Sequence, residues 1–391
     1  MIYFDNASTT KVNKLALDDY FNKALNFYAN PNSIHHLGME VSNLIFKEKE
    51  KVLKILNLNP KEYDVIYTSS ATESNNLALV GYALANINRG KHIITSKVEH
   101  ASVLEPLKVL ERKYGFKISY VKINEDGSID LEDFNKLITK DTILVSLMKV
   151  NNEVGINFDL NKVKEIISKY PKCVLHSDLA QAYGKVELDC SLFDMMTISS
   201  HKINGLKSIA VLIKKKKIKL DPIIYGGGQQ FNLRSGTEDY PLISSFTVAL
   251  NEYQRNFKEN LAKVHLIFDF LVNELSKINQ IKLHLYPNQC EYILNFSLED
   301  KKASVIVEAL SLHEIYVSSV SACSSKKEEP SYVLLALNKS LKEANNSIRL
   351  SFSKDNTIEE CQIFINVLKD ILNNVRGWLW FITQLLFALV N

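Results

Sequence analysis

Cys173-Val-Leu-His-Ser-Asp-Leu-Ala-Gln181 and Met195-Met-Thr-Ile-Ser-Ser-His-Lys-Ile-Asn-Gly205 each open on a short apolar run and close on polar side chains. Runs this short and this apolar are expected of strands buried on both faces. Comparable runs fall at His92–Ser96, Lys117–Val121, Ile143–Lys149 and Ile209–Ile213, and another strand closes on hydroxyls at Tyr67-Thr-Ser-Ser70. Between such runs, Gly38–Leu56 and Thr72–Ala85 carry apolar residues at helical spacing. Alternating strand and helix predicts an α/β fold around a mostly parallel, helix-covered sheet.

The pattern changes after Ser244. A long helical stretch through about Leu275 leads to shorter strands at Tyr292–Ser297, Tyr316–Val320 and Ser347–Ser353, the pattern of a second, α+β domain joined to the first by that helix. The expected division is 15–258 for the large domain, with 1–14 and 259–391 forming the small one.

The 391 residues suffice for two cores, and 46% hydrophobic with 23% charged residues is the balance of a globular protein. A net charge of +3 spread along the chain gives no footprint for nucleic acid, and the cluster Lys214–Lys217 reads as a solvated turn after a strand. Five scattered cysteines fit neither a disulfide framework nor paired zinc ligands, so no metal is expected and the setting is a reducing one. Met1-Ile-Tyr-Phe-Asp-Asn6 lacks the basic and apolar regions of a secretory signal, and the expected location is cytoplasmic.

Lys202, just past a buried strand and beside hydroxyls and a histidine, is placed as an amine that could form a Schiff base with an aldehyde cofactor; a surface lysine at a strand end is the alternative. Asp178 ends its strand three residues before Gln181. A carboxylate there can keep a pyridine nitrogen protonated, or simply cap a helix. The hydroxyls after Tyr67 open onto a helix at Ala71-Thr72, a construction that holds phosphate on free N–H groups and also forms capping boxes. Cys323 lies among small and charged residues from Ser318 to Pro330, an expected exposed loop in which Lys326 and Lys327 favour the thiolate. Cys173, Cys190, Cys290 and Cys361 fall in or near apolar segments and read as packing residues.

Together with further motifs, these segments resemble fold-type I pyridoxal-phosphate enzymes of the class V aminotransferase superfamily, and within it cysteine desulfurases of the NifS and IscS type. The likeness runs through Tyr3-Phe-Asp-Asn-Ala-Ser-Thr-Thr10, Asn30-Pro-Asn-Ser-Ile-His35, Ala71-Thr-Glu-Ser-Asn-Asn76, Val98-Glu-His100 and Val150-Asn-Asn-Glu-Val-Gly155. It continues through His201-Lys202, Gly226-Gly-Gly-Gln229, Arg234-Ser-Gly-Thr237, Ser321-Ala-Cys323, Pro330-Ser-Tyr-Val-Leu334 and Ser347-Ile-Arg349.

The resemblance implies a sheet of the seven-stranded type in the large domain and pyridoxal 5'-phosphate on Lys202. Asp178 would partner the ring nitrogen, and His100 would stack over the ring and move protons. Gln181 and Asn151 would bond the phenolic oxygen, Asn151 also facing substrate, and Ala71, Thr72, Ser199 and His201 would hold phosphate. Thr237 would reach the phosphate of a neighbouring subunit, implying a homodimer with shared sites. Arg349 would bind the carboxylate of L-cysteine, although a structural salt bridge is its alternative role. Cys323 would take the sulfur as a persulfide and hand it to an acceptor protein, in iron-sulfur cluster assembly or in tRNA or cofactor thiolation. Selenocysteine lyase, a class V aminotransferase and a non-catalytic binding subunit are the rival functions.

Ser208 and Ala210 stand where glycines are usual in this family. So does Ser70, and Gln229-Gln-Phe-Asn-Leu-Arg234 departs from the usual acidic, glycine-containing segment. The tail Gly377–Asn391 is nearly all apolar yet too short to span a bilayer. It is expected to be covered by protein in preference to membrane.

Overall fold

The computed structural model describes residues 1–319 and 329–373. Two compact units divide the chain: Ala7–Lys258 with Tyr286–Cys290, and Met1–Asn6 with Glu259–Leu285 and the chain from Glu291.

The larger unit is built on seven strands, β1 (Tyr63–Thr68), β2 (His92–Ser96), β3 (Lys117–Val121), β4 (Thr142–Ser146), β5 (Val174–Asp178), β6 (Met195–Ser199) and β7 (Ala210–Lys215), in the order β1-β7-β6-β5-β4-β2-β3. Only β7 runs against its neighbours. This is the mostly parallel sheet expected from the alternation of strand and helix. Ile93, Leu144, Met195 and Leu212 from the sheet meet Leu77, Tyr82, Val103, Leu107 and Leu110 from two covering helices. Val103, Leu107 and Leu110 recur at helical spacing on Ala101–Tyr114, which is why that helix buries one face.

The other covering helix is not regular. It runs Ala71–Asn76, widens into a π turn over Leu77–Gly81 and resumes as Tyr82–Ala85. At the end of the π turn the Gly81 carbonyl accepts from the Asp221 N–H at 2.9 Å. A Cβ on Gly81 would lie 2.5 Å from the Asp221 carbonyl oxygen, so only glycine permits this approach.

The single long helix expected from Ser244 to Leu275 is two helices, Tyr240–Arg255 and Phe257–Leu275. Asn256 interrupts them at φ −100°, ψ 12°, its side-chain amide donating to the Glu252 carbonyl at 3.0 Å.

In the smaller unit, β8 (Ile281–His284), β9 (Ile293–Leu298), β10 (Ser318–Ser319) and β11 (Ser347–Ser351) form an antiparallel sheet in the order β10-β11-β9-β8. Phe4 packs edge-on against Phe352 and Phe364 at 5.5 and 5.7 Å, which ties the N-terminus to this core. Residues 7–14, grouped by the sequence reading with the small domain, instead belong to the larger unit. The Thr10 N–H donates to the His201 carbonyl at 2.9 Å and the Asn13 N–H to the Asn204 carbonyl at 2.6 Å.

Cys173, Cys190, Cys290 and Cys361 are buried, and burial pushes the Cys173, Cys190 and Cys361 thiols up to about 12. Among the described residues no helix is long and apolar enough to cross a membrane. The tail 377–391 lies outside them.

Candidate active site

Neighbouring parallel strands end at one edge of the sheet, so residues that close successive strands are brought together there. Asp178 closes β5 and lies opposite Thr197 of β6, whose own last residue is Ser199. Asp178 is 7% exposed. One carboxylate oxygen accepts from the Ala180 N–H at 2.9 Å and caps the following turn; the other accepts from Asn75 Nδ2 at 2.7 Å. Asp178 therefore caps a turn while being held from the opposite side by the helix after β1.

His100 is the N-cap of Ala101–Tyr114. Its Nδ1 accepts from the Ser102 N–H at 3.1 Å and lies 2.8 Å from Ser102 Oγ. Burial holds the imidazole below its ordinary titration range; the charge of Asp178 works against this and that of Lys202 with it. Next to it, Glu99 accepts from Ser96 Oγ at 3.0 Å and from the Met148 N–H at 2.9 Å. Burial pushes the Glu99 carboxyl up to about 8 despite those bonds, and Asp178 adds to the rise. A glutamate whose carboxyl is pushed well above the usual carboxylate range thus adjoins His100 in sequence.

Lys202 sits in the turn after β6. Gly205 closes that turn by donating its N–H to the Ser200 carbonyl at 3.0 Å, and a Cβ at Gly205 would collide with Ser200 Oγ. The Lys202 ammonium donates to the carbonyls of Ala7 and, at 2.8 Å, Ser8. The Ala7 carbonyl also accepts from Gln181 Nε2 at 2.8 Å, and Gln181 Oε1 accepts from the buried Lys185 ammonium at 2.8 Å. Lys202, Gln181 and the N-terminal segment thus share one carbonyl. The sequence reading did not single out Lys185 or the Ala7 and Ser8 carbonyls; carbonyls carry no sequence signal.

Beside this cluster, Ser199 Oγ is buried with no hydrogen-bond partner. A buried hydroxyl in that state costs roughly 1–3 kcal/mol unless a ligand meets it. His201 Nδ1 lies 3.1 Å from Thr9 Oγ1, and burial first, then the charges of Lys202, Lys207 and Lys185, push the ring down to about 4. Ala71 and Thr72 begin a helix whose N-cap, Ser70, accepts from the Glu73 N–H at 3.1 Å. First-turn N–H groups have no acceptor within their own helix. An orphaned hydroxyl, free helix N–H groups, a carboxylate for a ring nitrogen and an amine form a donor set that fits pyridoxal phosphate.

The remaining candidates are placed differently. Asn151 is fully buried: its Oδ1 accepts from the N–H groups of Glu153 and Val154 at 2.9 and 3.0 Å, and its Nδ2 donates to the Val98 carbonyl at 2.9 Å. Thr237 is exposed, near Arg234, whose guanidinium pairs with Glu73 at 2.8 Å. Arg349, on β11 of the smaller unit, is buried and pairs with Asp5 at 2.8 Å. Cys323 lies outside the described residues.

The departures from the family pattern have visible backbone consequences. Ser208 has φ 65°, and Gln230, Phe231 and Asn232 have φ 49°, 62° and 61°, the left-handed region that glycine occupies at no cost. Ser70, by contrast, is extended at φ −166°, so a side chain is no burden there.

The Aminotransferase class-V family model matches residues 2–364. A NifS/IcsS protein homolog from Lactobacillus delbrueckii subsp. bulgaricus is 37% identical over 95% of this chain and 97% of its own. Cysteine desulfurase IscS 1 of Archaeoglobus fulgidus is 34% identical over 96% and 98%. A solved structure described as a NifS-like protein superposes with a TM-score of 0.88 at 33% identity, covering 95% of this chain and 99% of that one. With likeness of that extent across both units, the chain belongs to the class-V aminotransferase family and, within it, to the cysteine desulfurases of the NifS/IscS type.

Proposed function

We propose that the chain binds pyridoxal 5'-phosphate through Lys202 and removes sulfur from L-cysteine, leaving L-alanine and a persulfide on Cys323. The observation that carries this reading is the convergence of Asp178, His100 and Lys202 at one sheet edge beside the unpartnered Ser199 hydroxyl. The cofactor, when bound, supplies an aldehyde that captures the substrate amine and a ring that takes up electrons.

The protein's own groups do the rest. Ser199, His201, Thr72 and the N–H groups of Ala71 and Thr72 hold the phosphate, and Asp178 keeps the ring nitrogen protonated. Gln181 and Asn151 address the phenolic oxygen, Asn151 with the amide hydrogen now turned toward Met148 Sδ at 3.5 Å. His100, whose imidazole is held below its ordinary titration range, moves a proton at Nε2. Arg349 exchanges Asp5 for the substrate carboxylate, a bidentate partner that suits the guanidinium better. The Cys323 thiolate attacks the substrate sulfur; the carbon–sulfur bond breaks as a sulfur–sulfur bond forms. Cysteine and a thiol thereby become alanine and a persulfide with no outside oxidant. An acceptor protein then takes the sulfur for iron-sulfur cluster assembly or thiolation.

A homodimer completes the site. Leu17, Phe21 and Leu25 along the helix Lys14–Asn26, then Tyr28, Ile34 and Phe46, are exposed large apolar side chains of a single unit. An apolar surface of that extent is characteristic of an interface. Exposed Thr237 is suited to a phosphate held by the second subunit. The deciding experiment incubates the purified, cofactor-loaded protein with L-cysteine and a reductant. Sulfide and alanine should appear in equal amounts; an oxo acid in place of alanine would identify an aminotransferase, and no product at all would remove the reading.

A further inference from the structure

A chain of four polar groups joins the imidazole of His100 to the carboxylate of Asp178. His100 Nδ1 lies 2.8 Å from Ser102 Oγ, which accepts from Asn75 Nδ2 at 2.8 Å, and the same Nδ2 donates to Asp178 Oδ2 at 2.7 Å. All four residues are in the larger unit, and Asn75 and Ser102 are buried. Neither Asn75 nor Ser102 has a role in the reading above.

The proton positions along this chain follow from its end members. The Ser102 N–H can only donate, and it points at His100 Nδ1 at 3.1 Å, so Nδ1 carries a lone pair and no proton. Asn75 Nδ2 likewise only donates, and carboxylate Oδ2 only accepts. Ser102 Oγ, already accepting from Asn75, turns its own hydrogen toward Nδ1. The neutral imidazole is left with its hydrogen on Nε2, away from the helix.

We propose that Ser102, backed by Asn75, is a positioning residue that holds His100 in the Nε2–H tautomer and couples its proton to the charge of Asp178. His100 therefore acts first as a proton donor at Nε2, and it becomes a base there only after that proton has left. The inference rests on the proposed pyridoxal-phosphate site for its catalytic meaning, but the tautomer belongs to the polypeptide alone. Protonating Nδ1 would set a hydrogen against the fixed Ser102 N–H, so both Ser102 donors favour the neutral ring. The charged groups acting on it are Asp178, which favours the imidazolium, and Lys202, which opposes it. Glu99 adjoins them, its carboxyl pushed up to about 8 by burial.

Selective 15N labelling of histidine in the cofactor-loaded protein, with His100→Gln to assign one signal among the nine histidines, tests this directly. Wild-type Nδ1 should resonate as an unprotonated nitrogen and Nε2 as a protonated one. Ser102→Ala removes one donor to the neutral ring, so the His100 titration should rise by roughly half to one pH unit, and the acid limb of turnover with it. Ser102→Thr should restore both. A helix cap without this role would lower the melting temperature in Ser102→Ala and leave the titration where it was, which would overturn the inference. A protonated Nδ1 in the wild-type protein would overturn it without any variant. A protein that binds no pyridoxal phosphate yet shows the expected Nδ1 signal would instead refute the functional reading and leave the tautomer standing.

Discussion

Two amines meet the Ala7 and Gln181 cluster, buried Lys185 and half-buried Lys202, and they are held in different ways. Lys185 donates to the side chain of Gln181, whereas Lys202 donates to the backbone carbonyls of Ala7 and Ser8. In the proposed reading Lys202 is the amine that engages the aldehyde. Lys202→Ala should lower turnover by roughly a thousandfold or more and abolish the visible absorbance of the bound cofactor, as absorbance spectra and alanine assays would show. Cys323→Ser should keep that absorbance and lose sulfide release, because a hydroxyl does not take up sulfur as a thiolate does. Persulfide labelling with an alkylating reagent checks this, and a persulfide surviving in that variant would move the role to another cysteine.

At the level of elements, the turn from Ser200 to Ile209 presents Lys202 and carries its own strain. Asn204 and Ser208 adopt φ 58° and 65°, and a left-handed residue with a Cβ costs about 1–2 kcal/mol. Ser208 is exposed, so Ser208→Gly should relieve that cost against a smaller gain in unfolded-chain freedom. The net expectation is a stability increase of about 0.5–1 kcal/mol, read as a higher denaturant midpoint with unchanged slope. An unchanged or lower midpoint would mean that the turn is not strained. The run Gln230–Asn232 is held against similar strain by Lys49, which donates to Gln230 Oε1 at 2.9 Å and lies 4.3 Å from the Phe231 ring centroid. Glycine there would relax the backbone and sacrifice those contacts, so no comparable gain is expected.

For the molecule as a whole, the exposed apolar surface and Thr237 make association and cofactor retention one question. Phe21 is 67% exposed on a helix whose one buried residue is Ala16. Phe21→Glu places a charge where the second subunit would close and leaves the internal core untouched. Analytical ultracentrifugation should then show a shift toward monomer, and cofactor affinity should fall with it, because in the proposed dimer each site would lose the second subunit's Thr237. A variant that stays dimeric with full affinity would place the interface elsewhere.

Three strands, His92–Ser96, Lys117–Val121 and Met195–Ser199, are legible to the residue in the sequence; the first and third are short runs closed by a serine and buried throughout, and the second is a short run with one exposed end. The same local pattern marks Asp178 and Lys202, which lie at strand ends where chemistry-bearing residues gather. The apolar period continues through Asn256 toward Leu275, so the sequence reads as one long helix, and only the backbone at Asn256, φ −100° and ψ 12°, shows the break. The order of the sheet, the reversed β7 and the placement of residues 7–14 against the 201–204 turn were decided by tertiary structure. So was the relay, in which Asn75 reaches Asp178 across 103 residues and Ser102 across 27. Periodicity reports which face of an element is buried and nothing about the element it meets. Burial alone therefore determined the strands and their chemical ends, while the hydrogen bonds that orient those ends depend on which edges and helix faces come together when the chain closes on itself.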